Sequence, residues 1–188
     1  MLSMAERVRV SGGRRGILEV ATALFADAGV RGTSLQQIAD AAGVTKAAVY
    51  HHFRTKDEIV RAVLAPAMDR FRDIVRVAAA YRTPEARIEA AVVGLADQAV
   101  EHRALWSVVL RDGVAAEMLR EDPEHGEVMR ALHAVLSAGR TTPEHTVAVA
   151  VFLSGLVGPP LDPASAAMAP DVLRAAIADA GRRLLVTG

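Results

Sequence analysis

Apolar residues return every third or fourth position along almost the whole chain, the period of helices that pack on one face. The pattern predicts a first helix from about Arg14 to Ala28. Ile17, Ala21, Leu24, Phe25 and Ala28 share one stripe of it, and Gly29 is placed to stop it. Thr33 reads as the start of a second helix, its hydroxyl capping while Gln36, three residues on, reaches back to complete a capping box. Leu35, Ile38, Ala39 and Ala42 form the inner face, and Gly43 ends the helix after about two turns. A third short helix opens at Thr45 and runs to about Phe53, with Val49 and Phe53 pointing inward. Thr55 and Glu58 form another capping box, which starts a fourth helix at Lys56. Pro66 is expected to kink or break it beyond Ile59, Val60 and Val63.

The rest of the pattern is also helical. Thr83-Pro84-Glu85 is a cap followed by proline at the first helical position, opening a helix to about His102. Ala104 to Leu110, Gly113 to about Arg120, and Glu124 to about Ser137 follow, the last two separated by Asp122-Pro123. Thr142-Pro143-Glu144 repeats the cap-plus-proline start of an apolar helix to about Val157. Gly158 to Pro163 reads as a stiff loop, and Pro170 opens a last helix ending near Val186. No strand alternation, heptad seam or internal repeat competes with this reading, so the expected fold is all-α. Three divisions are expected: a polar, basic arm over 1–13, a compact unit of short helices over 14–63, and a helical domain over 64–188.

Composition narrows the classes. The 188 residues are 52% hydrophobic, enough for a core, and only 4% aromatic. There is no cysteine, which excludes disulfides, thiolate catalysis and cysteine-ligated zinc and suits a reducing cytoplasm. Met1 to Gly16 holds no apolar run fit for a secretory signal. The uncharged stretch from Thr146 to Leu161 is shorter than the roughly 20 residues a membrane helix needs. A soluble, cytoplasmic protein is expected. The net charge is zero, yet residues 1–63 carry nine Lys and Arg against six Asp and Glu, so a polyanion would meet that third more favourably than the rest.

Specificity arrives between Gln36 and Phe53. A helix-turn-helix needs a small residue where its second helix crosses the first, a turn residue tolerant of positive φ, and an apolar anchor. Ala39, Gly43 and Val49 stand at the matching spacing. With Val49 and Phe53 inward, the opposite face carries Lys46, Ala47, Tyr50 and His51, which suits a major groove. Lysine can donate to guanine or phosphate, alanine permits close approach, and tyrosine and histidine can donate to phosphate oxygens. Thr33, Thr45 and Lys56 begin helices whose N–H groups can meet phosphates.

The run from Gly43 to Phe53, then Arg54-Thr55-Lys56-Asp57-Glu58, resembles the signature of the tetracycline-repressor (TetR) family of bacterial regulators. Ala23-Leu24-Phe25, Gly29, Gly32-Thr33-Ser34 and Ile38-Ala39 are similar to that family's first two helices, so the resemblance covers residues 14–63. It implies a cytoplasmic homodimer, usually a repressor, released from a palindromic operator in double-stranded DNA when a small-molecule effector binds the second domain. Carried over position by position, Thr33, Thr45, Lys46, Ala47, Tyr50, His51 and Lys56 correspond to DNA-contacting residues. Phe53 corresponds to a packing residue, and His52 to one that packs or touches phosphate.

Other readings stand beside this one. Tyr50 could simply pack, and Arg14 and Arg15 could reach a minor groove or be a solvated tail. His51 and His52 point about 100° apart on a helix, which disfavours a shared metal. His125, His133 and His145 with Glu124, Glu127 and Glu144 fit helix ends and solvated faces better than a metal site. No cofactor and no metal are expected. Trp106, Met118, Met129, His133 and Phe152 are candidates for an effector pocket, against the alternative of ordinary core. Few aromatics in an apolar domain hint at a hydrophobic or amphipathic effector.

The last two helices, one apolar nearly all round, the other striped by Val172, Leu173, Ala176, Ile177, Ala180 and Leu184, are expected to pair with their symmetry mates in a homodimer. An enzyme is not expected, because no nucleophile–base spacing, phosphate-cradling loop or metal cluster is present. An adaptor that keeps the fold but binds a protein would show DNA affinity with little response to salt.

Overall fold

A computed structural model describes residues 13–111 and 113–186, and in those residues the regular structure is entirely helical. The expected arm over 1–13 therefore lies outside the described residues but for Gly13. The described residues divide into two compact units. One comprises residues 13–65 with 107–111 and 113–117, the other 66–106 with 118–186.

In the first unit, α1 (Arg14–Gly32) packs on α2 (Leu35–Ala42), and both meet α3 (Lys46–His52). Gly29 sits inside α1 at φ 75° and ψ 166°, so the expected stop is present as a backbone break, after which one more turn reaches Gly32. Ile17, Ala21 and Phe25 are fully buried, whereas Leu24 is half-buried and Ala28 exposed, so the buried stripe of α1 is narrower than its apolar stripe.

The cap of α2 differs from expectation by one residue. Ser34 accepts from Gln37 N–H at 3.2 Å, and the Gln37 side chain accepts from Ser34 N–H at 2.7 Å. Thr33 is withdrawn into the interior, its hydroxyl donating to the Gly29 carbonyl at 2.8 Å. That carbonyl belongs to the broken turn of α1 and needs a donor, and Thr33 is the hydroxyl that reaches it. After α2, Gly43 adopts φ 67°. Its N–H reaches the Asp40 carbonyl and the Val44 N–H the Ala39 carbonyl, the paired bonds of a Schellman stop.

α4 (Lys56–Ala79) begins behind Thr55, whose hydroxyl accepts from Glu58 N–H at 3.2 Å. The Glu58 carboxylate reaches one residue further back than a capping box requires, to Arg54 N–H at 2.9 Å. Of the kink or break expected at Pro66, the break is absent: the helix runs through the proline without ending. Val63, Leu64, Ala67 and Met68 are buried on either side of the proline, and that burial outweighs the one lost N–H.

The second unit is built on α5 (Pro84–Glu101), capped by Thr83 and packed against α8 (Pro123–Ser137) and α11 (Pro170–Leu185). α9 (Pro143–Gly155) packs on α8 and α11. Gly181 makes the closest of these approaches possible: a Cβ there would lie 2.7 Å from both Phe152 Cε2 and Val92 Cγ1. Arg182 on α11 forks onto the Glu89 carboxylate of α5 at 2.7–3.0 Å. α6 (Arg103–Arg111) and α7 (Gly113–Glu121) complete the helical order, and α10 (Pro163–Ala166) is a single turn at the end of the expected loop, capped by Asp162. No described helix is long and apolar enough to cross a membrane.

Candidate functional site

Three features hold α3 in place. The Schellman stop at Gly43 sets the chain direction, Thr45 caps the helix by accepting from Ala48 N–H at 3.1 Å, and Val49 is fully buried. Ala39 is fully buried too, as the crossing of two short helices requires. Phe53, 2% exposed, closes the far end, and the Arg14 guanidinium lies 5.0 Å from its ring centre.

What remains faces outward. Thr45, Lys46, Ala47, Tyr50 and His51 are all exposed, Tyr50 by 46%, so Tyr50 is not a packing residue within this unit. The Lys46 ammonium hovers 5.9 Å from the Tyr50 ring, one turn along the helix. His52 is half-buried and meets His51 edge to face at 5.3 Å. This is a cationic, donor-rich face on a helix fixed from behind.

Two of the expected residues stand elsewhere. Thr33 is 2% exposed with its hydroxyl committed to Gly29, so Ser34 is the exposed residue at the start of α2. Lys56 is half-buried, and its ammonium donates to the carbonyls of Val30 at 2.7 Å and Thr33 at 3.1 Å. It ties the start of α4 to the turn between α1 and α2. One of its three donors is left over for anything outside.

A cavity of about 110 Å³ lies in the second unit. Trp106 and Met129, two of the five pocket candidates, line it. Met118, His133 and Phe152 do not. Met118 is half-buried on α7, and His133 is exposed on α8. Phe152 is turned toward Gly181 and the core. Their places are taken by residues such as Phe71, Leu132, Leu153 and Leu156, and by two polar groups that sequence reasoning missed, Gln98 and His125. A signal was present: Gln98 follows Ala91 and Leu95 at helical spacing on a buried stripe, and His125 precedes Met129 by one turn. Burial lowers the His125 pKa below the ordinary histidine value, partly offset by the nearby Asp122 carboxylate. Among the described residues no three His, Asp or Glu side chains converge as metal ligands; the His145 ring nitrogen lies instead 3.2 Å from the Leu136 carbonyl.

Residues 17–63 match the family model described as bacterial regulatory proteins, tetR family. The chain belongs to this family of helix-turn-helix regulators. It is similar to the transcriptional repressor KstR2 of Rhodococcus jostii, with 32% identity over a match covering 60% of this chain and 70% of the relative. KstR2 of Mycobacterium tuberculosis is 37% identical over 58% of this chain, and there the chain spans about half of the relative, 54% of its length. The solved structure of the ketosteroid transcriptional regulator KstR2 of M. tuberculosis superimposes with a TM-score of 0.68 at 24% identity, covering 92% of this chain and 97% of that one. The last likeness speaks to the fold.

Proposed function

We propose that this protein is a sequence-specific DNA-binding transcriptional regulator, a repressor released from a palindromic operator when a small molecule binds its second unit. The observation that carries this is the outer face of α3, where Lys46, Ala47, Tyr50 and His51 stand exposed on a helix locked by Val49 and Phe53. In this reading α3 enters the major groove. Lys46 donates to a guanine or a phosphate, Ala47 allows close approach, and Tyr50, His51 and Thr45 hold the flanking backbone. Ser34 takes the phosphate role that the family pattern gives to Thr33, and Lys56 acts mainly by fixing the turn that carries Ser34. The basic arm, 1–13, would add contacts of its own, and the protein works in the cytoplasm where its operator lies. The repressor names of the relatives support the reading.

One short helix reads too few base pairs, so a dimer is required. Two apolar stripes support it: Val147 and Val151 on α9, exposed by 60% and 53%, and Val172 and Leu184 on α11, exposed by 53% and 40%. These stripes would pair with those of a second copy. An effector that binds one arrangement of the dimer better than the other would change the spacing of its two α3 helices.

The test is selection of bound sequences from genomic DNA by the purified protein at near-physiological salt. A palindromic motif is expected, with affinity falling steeply as salt rises. Lys46→Ala with Tyr50→Ala should cost about 100-fold or more in operator affinity while the protein stays folded and dimeric. No enrichment by a folded dimer would rule out an operator and leave the adaptor reading in its place.

A further inference from the structure

Eight of the eleven residues around the cavity of the second unit have side chains without nitrogen or oxygen, the exceptions being Gln98, Trp106 and His125. Those three give the wall their hydrocarbon and ring surface. Gln98 Oε1, Trp106 Nε1 and His125 Nδ1 are buried in the surrounding packing, and almost no polar atom is presented to the space itself. The Gln98 amide is held in that position from behind, since the residue is 1% exposed and its Nε2 donates to the Ala67 carbonyl of α4 at 3.1 Å.

Such a wall decides what the space can hold. A water molecule inside a protein needs two to four polar partners, and this wall offers none, so the physics of a small apolar cavity favours a dry one. Side chains that border a void also forgo dispersion contacts on that side. An occupant made only of carbon and hydrogen restores those contacts and leaves water in doing so. A polar group carried into the same space loses its hydration and finds no partner, and a charged group loses far more. Among the described residues no lysine, arginine or carboxylate lines the cavity to compensate a charge.

We propose that this cavity takes a bare hydrocarbon group, a single ring or the end of a chain, held by contact and the release of water with no hydrogen bond to the protein. Its volume of about 110 Å³ sets the size, since an engineered apolar cavity of roughly 150 Å³ accepts benzene. Any polar part of the effector stays outside this space. The proposal rests on the reading of the second unit as the effector-binding part, and it names the portion of the effector that this part would enclose.

Trp106 is the only tryptophan of the chain and part of the wall, so its fluorescence reports on the cavity. Benzene titrated into the full-length protein, with the indole alone excited, should give a saturable change in that fluorescence. Phenol should bind about tenfold or more weakly, the loss expected of a hydroxyl buried without a partner. Benzoate should give no response at the same concentrations. Ala99→Leu adds three carbons at a wall residue that offers only a methyl group, and it should remove the benzene response.

Phenol binding as tightly as benzene, a response to benzoate as strong as that to benzene, or no response to benzene would overturn the proposal. These results are read on the natural protein and do not depend on the variant folding. A folded Ala99→Leu protein that answers benzene as before would overturn it too, by placing the site elsewhere. Operator selection on the same preparation separates the two readings. A protein that selects a palindrome but ignores benzene loses this inference and keeps the regulator assignment. One that binds benzene and selects no DNA keeps the cavity chemistry and loses the operator.

Discussion

α3 and α9 each bury a few residues and turn the rest outward, but they turn outward opposite kinds of surface. α3 sinks Val49 and presents a lysine, a tyrosine and a histidine. α9 sinks His145, Val149 and Phe152 and presents two valines more than half exposed. A cationic face gains most from a partner of fixed negative charge, and added salt screens that gain away. An apolar face gains by releasing water, which depends little on salt. Two surfaces on one chain therefore answer to different variables, and partner choice can be separated from self-association by ionic strength alone.

The largest effect that would break this contrast is on the apolar side. Val151→Glu combined with Leu184→Glu places charge on both exposed stripes and should weaken self-association by about 100-fold or more. Sedimentation should find monomer, and higher ionic strength should not restore the dimer. An intact dimer would move the interface off these stripes.

A smaller pair of changes sharpens the comparison between the units through two glycines held for different reasons. Gly181→Ala drives a methyl group into Phe152 and Val92, so denaturant melts should show a loss of about 1–3 kcal/mol, lessened by the better helix propensity of alanine. Gly43→Ala meets no neighbour, but its φ of 67° is unfavourable for a side chain, and the loss should be about 1–2 kcal/mol. Gly181→Ser should be at least as damaging as alanine. Gly43→Asn, which tolerates the left-handed region, should recover most of the loss.

The smallest effect is in pH. His125 has a folded pKa below its unfolded value of about 6.5, so the unfolded chain takes up the proton first. The contribution of this group is complete above about pH 6.5 and is lost as pH falls below it toward the folded pKa. Thermal melts between about pH 7.5 and 5.5 should therefore lose stability with acid, and His125→Gln should flatten part of that slope. An identical slope in the variant would assign the acid sensitivity to other groups.

The short helices were legible because their limits are written in single residues: Gly29 and Gly43 stop, Thr45 and Thr55 start, and each acts on backbone groups within a turn of itself. Even so, Thr33 and Ser34 are adjacent hydroxyls, and only the carbonyl exposed by the break at Gly29 decides which turns inward. Local chemistry at Pro66 allows a kink or a break, and the choice against a break rests on the burial of its neighbours, which is a tertiary quantity.

On the longer helices the pattern gave the helix but not its facing. The single stripe read on α11 divides in two: Leu173 and Ile177 go inward with Ala178 and Leu185, and Val172, Ala176, Ala180 and Leu184 stay outside. The cavity was half legible for the same reason. Trp106 and Met129 are conspicuous by type, whereas Gln98 becomes significant only once its amide is seen buried and its nitrogen committed to Ala67.

The tie from Lys56 to Val30 and Thr33 has a use in protein chemistry. The chain contains only two lysines, Lys46 and Lys56, and both lie in the first unit. An amine-acylating reagent meets one ammonium standing in solvent and another engaged by two backbone carbonyls. Lys46 should be acylated at the rate of an open amine. Lys56 should react only as fast as the α1–α2 turn lets go, so its labelling rate becomes a clock for local opening of the helix-turn-helix unit, read by mass from the same sample.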